Sequence, residues 1–77
     1  MIVGLSYYLR TSVGTDGVGY NTLDQAKSAL KTLIALEIER GGHVVEQKDH
    51  KWISHHKPHG IFMMWIETDT GRVIALG

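Results

Sequence analysis

The chain has 77 residues, eight basic and eight acidic side chains, and no cysteine. A domain of this length buries only about 60% of the surface its unfolded chain exposes, which leaves room for one domain, residues 1–77, and argues against a deep enzyme cleft. Zero formal charge argues against a protein that coats nucleic acid through counterion release. The missing cysteines exclude disulfides, thiolate zinc sites and a cysteine nucleophile, and they fit a cytoplasmic location.

Taken in chain order, Val3, Leu5, Tyr7 and Leu9 alternate with Gly4, Ser6, Tyr8 and Arg10, the period of a strand with one buried face. Arg10 ends this apolar opening well short of the ~18 residues that a membrane-spanning helix needs, and no signal peptide is recognisable. Thr11 to Gly19 contains Gly14, Gly17 and Gly19, with Asp16-Gly17 as a turn dipeptide, so the segment reads as a loop. Its glycine spacing lacks the pattern and the lysine of a phosphate-binding loop.

Thr22-Leu23-Asp24-Gln25 forms a capping box, in which the Thr22 hydroxyl accepts from the Gln25 amide and Asp24 complements the helix dipole. Good helix formers continue to Arg40, and Gly41-Gly42 supplies the left-handed stop. At 100° per residue, Leu23, Ala26, Ala29, Leu30, Leu33, Ile34, Leu36 and Ile38 cover an arc of roughly 200°, twice the ~100° that packing on one sheet face requires. A second copy of the chain is one way to cover the excess, with Leu36 and Ala29 on one flank and Ile38 on the other; a homodimer is the simplest closed solution. Glu37 lies inside the arc, where it either emerges at an exposed helix end or meets a lysine, arginine or histidine.

His43 to Lys48 and Lys51 to His55 read as strands joined through Asp49-His50. Ile61 to Ile66 is a continuous apolar run suited to a central strand, and Asp69-Thr70-Gly71 turns into Val73 to Leu76. The pattern predicts an α+β fold in β-α-β-β-β order, with one helix packed on a small antiparallel sheet of four to five strands. Leu30, Leu33, Phe62 and Ile66 satisfy both periodicities and are the expected core.

Four of the five histidines, His50, His55, His56 and His59, fall in one window with Lys51, Trp52, Lys57 and Pro58. Metal binding is the sharpest reading of such a cluster, but His55 and His56 point to opposite faces of an extended segment, and no carboxylate lies between His50 and His59 to complete a site. Ser54-His55-His56 sets a hydroxyl beside imidazoles, yet neighbouring strand residues project oppositely, so no catalytic group and no enzyme activity is expected from it. As a contact surface, Lys48 to His59 carries a net +2, rising to +6 when its four histidines protonate, and Trp52 is either an interface anchor or a core residue. The expected partner-binding residues are therefore His50, Lys51, Trp52, His55, His56, Lys57 and His59, with no cofactor and no metal. Tyr7 and Tyr8, together with Phe62 and Trp65, suggest an alternative, a sheet-borne aromatic platform for single-stranded nucleic acid.

A short cysteine-free chain with one capped helix, a small antiparallel sheet and a polar contact loop resembles the small phage-borne anti-CRISPR inhibitors. The resemblance is one of architecture and transfers no residue role. It implies a stoichiometric, non-enzymatic binder that occludes a surface of a larger protein or ribonucleoprotein, in competition with nucleic acid. A third reading is a structural oligomer subunit supported by a histidine-bound metal.

Overall fold

A computed structural model describes residues 6–13, 18–56 and 60–77. Seven elements follow in order: β1 (Tyr7–Thr11), β2 (Val18–Tyr20), α1 (Leu23–Glu39), β3 (His43–Glu46), β4 (Trp52–His56), β5 (Gly60–Thr68) and β6 (Val73–Ile74). All strand pairs are antiparallel. The sheet runs β2-β1-β5-β4-β3, and β6 pairs with the far half of β5. This is the expected α+β class, one helix on an antiparallel sheet.

The sheet has six strands rather than four or five. The additional one is β2, inside the stretch read as a loop to Gly19: Val18, Gly19 and Tyr20 pair with Leu9, Tyr8 and Tyr7. Three residues are too few for a periodic signal, and Gly19 masks what signal exists. The last strand is shorter than expected, Val73–Ile74 instead of Val73 to Leu76. Val3 and Leu5 of the expected first strand, like the Asp16-Gly17 turn, lie outside the described residues.

Both ends of α1 follow the local chemistry. The Thr22 hydroxyl accepts from the Gln25 amide at 3.2 Å. At the other end the Gly41 amide donates to Ile38 and the Gly42 amide to Glu37, at 3.0 and 2.8 Å, while Gly41 takes a φ of 89°. These are the paired bonds and left-handed residue that satisfy the last helical carbonyls. α1 crosses one face of the sheet, and the core lies between them: Ala26 and Leu30 meet Met64 and Ile66, all fully buried. Tyr7, Leu9, Ile34, Val44, Trp52 and Ile74 pack around this centre. Leu33 and Phe62, expected in the core, are only partly buried, because they line an open cleft near the C-terminal end of the helix. Among the described residues no helix is long and apolar enough to cross a membrane.

The register assigns every strand residue to a face. Leu9, Ile66 and Met64 define the helix side, so their partners Trp52 and Ser54 on β4, and His56 opposite Gly60, share it. The alternate residues lie on the other side, which no element among the described residues covers: Tyr8 and Arg10 on β1, Met63, Trp65 and Glu67 on β5, Ile53 and His55 on β4, and His43 and Val45 on β3.

Candidate contact face and a buried acid–histidine cluster

Strand alternation divides the histidine window. Lys51 and His55 lie on the helix-free face, whereas Trp52 and His56 lie on the helix side. His50 sits in the β3–β4 turn, exposed, at a φ of 68°. Lys57 and His59 fall outside the described residues. The window is therefore not one surface. Trp52 packs against the core, its indole Nε1 buried without a hydrogen-bond partner, which fits a volume-filling residue better than an interface anchor. His50 Nδ1 is 3.7 Å from Glu46 Oε2, across the ends of an exposed hairpin.

On the helix-free face, residues distant in sequence come together. Trp65 pairs with Arg10, and Glu67 with Tyr8. The Glu67 carboxylate accepts from Trp65 Nε1 at 3.1 Å and lies 3.0 Å from Arg10 Nε. Both its oxygens are engaged within the face, so the acid presents little unneutralised charge outward. Two cations lie over the aromatic rings: the Lys51 ammonium is 4.6 Å from the Trp65 centroid, and the Arg10 guanidinium 5.5 Å from that of Tyr8. Lys51 has no carboxylate within ion-pair distance among the described residues. Ile53 is 7% exposed although it lies on the side away from α1; Val45 and Met63 flank it across the strands. His43 stands opposite His55, and His55 opposite Ile61, which is 59% exposed. The face thus joins an apolar centre to a cationic, histidine-bearing rim, with one internally satisfied acid.

The helix side contains a different constellation. Glu37 and Ser54 are buried, at 4% and 0% exposure. His56 Nε2 lies 2.6 Å from Glu37 Oε1 and 3.1 Å from Ser54 Oγ, and Arg40 reaches Glu37 Oε2 at 3.6 Å. Burial pushes the Glu37 carboxyl up, but hydrogen bonds from His56 and Ser54 and the charges of His56 and Arg40 outweigh it and hold the group below its ordinary value. Of the alternatives open to Glu37 in the sequence, the realised one is a histidine and an arginine partner. Gly42 makes room for the cluster: a Cβ there would collide with Ser54 Oγ and come within 2.8 Å of the Glu37 carbonyl oxygen.

Serine, histidine and glutamate together invite comparison with a hydrolytic triad, and the geometry speaks against that chemistry. A triad needs one imidazole nitrogen for the acid and the other for the hydroxyl. Here both contacts fall on Nε2, whose single proton is held by the carboxylate, leaving no lone pair there to take the serine proton. Ser54 is also closed to solvent. The cluster is a structural tie between the end of α1 and β4. Among the described residues, no group of three or more histidines and carboxylates comes together as for a metal ion.

Of the aromatic platform read from the sequence, Tyr8 and Trp65 share the helix-free face, whereas Tyr7 and Phe62 lie on the helix side; sequence reasoning did not join that pair, or His43, Arg10 and Met63, to Lys51 and His55. The alternation that pairs them was visible, but the register between β1, β5, β4 and β3 was not. No protein-family model matches the chain, and no curated protein or solved structure is significantly similar to it.

Proposed function

We propose that the chain is a small non-enzymatic binding protein that occludes a surface of a larger protein or ribonucleoprotein, in the manner implied by its resemblance to anti-CRISPR inhibitors, and that its contact surface is the helix-free face. The observation that carries this reading is the cationic cover over an apolar sheet face on which no element among the described residues packs. Antiparallel sheets commonly leave one face to water, but that face is then polar; here it holds Ile53 and Met63, with Trp65 beneath Lys51 and Tyr8 beneath Arg10. A tryptophan, a tyrosine and an arginine at the centre of one face are the residue types that dominate binding energy at interfaces. From the sequence-derived set, Lys51 and His55 belong to this surface.

The test is co-purification of the tagged chain from its native host. Wild type is expected to bring down a stable complex, and Lys51→Glu combined with Trp65→Ala to abolish it while circular dichroism stays native. A complex that survives this double substitution but is lost with Leu36→Ser and Ile38→Ser would move the contact to α1, where both residues are exposed, and would favour the helix-mediated homodimer as the alternative reading.

A further inference from the structure

The occupant of the helix-free face is the next question, and we infer that it is single-stranded nucleic acid, with bases stacked on Trp65 and Tyr8 and phosphates held by Lys51 and Arg10. This inference rests on the assignment of that face as the contact surface. Its first support is position. Tyr8 and Trp65 lie on adjacent strands in diagonal register, since Tyr8 pairs with Glu67 and Arg10 with Trp65, which places their Cα atoms roughly 7–8 Å apart. Neighbouring ring faces on a sheet are what unstacked bases of a single strand engage.

The second support is orientation. Each ring has a cation lying over it, and both rings are only partly buried. These contacts are also the weaker competitors. Stacking on a base exceeds an exposed cation–π contact, so a base displaces Lys51 from Trp65 and leaves the ammonium beside the adjoining phosphate. Arg10 keeps its Nε on Glu67, and its terminal guanidinium nitrogens are the groups left to meet a phosphate.

The third support is shape. Three clefts lie away from Tyr8 and Trp65, between β2 and α1, at the β3–β4 turn and beside the end of α1. A protein partner anchors its hot-spot side chains in pockets, whereas planar bases require a flat platform. The charge agrees: Arg10, Lys51, His43 and His55 stand on a face whose one acid among these residues, Glu67, is already engaged.

Fluorescence anisotropy with labelled oligothymidine and oligouridine, measured in parallel at low salt on untagged protein, tests the inference. Wild type is expected to bind at least one of them. Trp65→Ala should weaken binding roughly 5- to 100-fold, Trp65→Phe should largely restore it, and Lys51→Ala should reduce the salt slope by about 0.7. Should Trp65→Ala fail to fold, Lys51→Glu carries the test from a half-buried position outside the core. No binding of either oligonucleotide, with the host complex still dependent on Lys51 and Trp65, would overturn the inference in favour of a protein occupant and leave the proposed function standing. Oligonucleotide binding indifferent to Lys51 and Trp65 would overturn this inference, and a host complex equally indifferent would remove the face itself.

Discussion

Gly41 and Gly42 are adjacent and required for different reasons. Gly41 has a φ of 89° with open space around it, so Gly41→Ala meets only backbone strain, about 1–2 kcal/mol. Gly42 is tied to the cluster beneath it, and Gly42→Ala forces Ser54 or the helix end to move, at about 1–3 kcal/mol and with Glu37 disturbed. Comparing the acid limb of stability in the two variants separates these causes. The Glu37 carboxyl is held below its ordinary value, so the unfolded state binds protons more readily. Its contribution is therefore complete above the unfolded value near pH 4.3 and is lost as pH falls through the lower folded one. Glu37→Gln should flatten that loss, and denaturation midpoints measured between about pH 5 and 3 would show it. Removing the partner is worse. His56→Ala leaves a buried carboxylate with Arg40 at 3.6 Å and the Ser54 hydroxyl, and should cost about 2–3 kcal/mol, less than a fully buried pair because His56 retains contact with water. A midpoint unchanged in His56→Ala would show that the tie contributes nothing. At the hairpin, His50 adopts a left-handed φ of 68°, so His50→Gly should raise stability by up to about 1 kcal/mol.

At the level of elements, the helix was the most legible feature, since its start at Thr22, its stop at Gly41 and its apolar period are all encoded within a turn or two of chain. Leu30 is fully buried against Met64 and Ile66. Leu30→Ala should therefore cost about 2–5 kcal/mol, a large share of the stability of a domain this size, and more than Leu33→Ala at the edge of the cleft. Equal losses by chemical denaturation would contradict the placement of the core. The strands were legible in proportion to their length. β5 and β4 carry enough residues to show a pattern, whereas β2 is three residues after a glycine-rich stretch, and its existence follows from pairing with β1. Glu37 was recognisable as a charge inside an apolar arc, but its partner His56 is on another element, and the serine that joins them is two positions from that histidine, not adjacent to it.

For the molecule as a whole, the fold class follows from the order of the elements, but the contact face does not. Alternation along each strand separates Lys51 and His55 from Trp52 and His56, and was readable in advance. Which of the two sides the helix covers, and which residues of β1, β3 and β5 join the open one, depends on long-range register that no local pattern contains. That is why the sequence concentrated attention on a ten-residue window, while the surface combines Tyr8, Arg10, His43, Lys51, His55, Met63 and Trp65 from four strands. Hydroxyl-radical footprinting of the complex recovered from the host tests this face most directly, because Tyr8, Met63 and Trp65 are reactive reporters on it and Phe62 is one on the opposite side. Binding is predicted to protect Tyr8, Met63 and Trp65 and to leave Phe62 as reactive as in the free chain; protection of Phe62, with Met63 and Trp65 unchanged, would contradict the account.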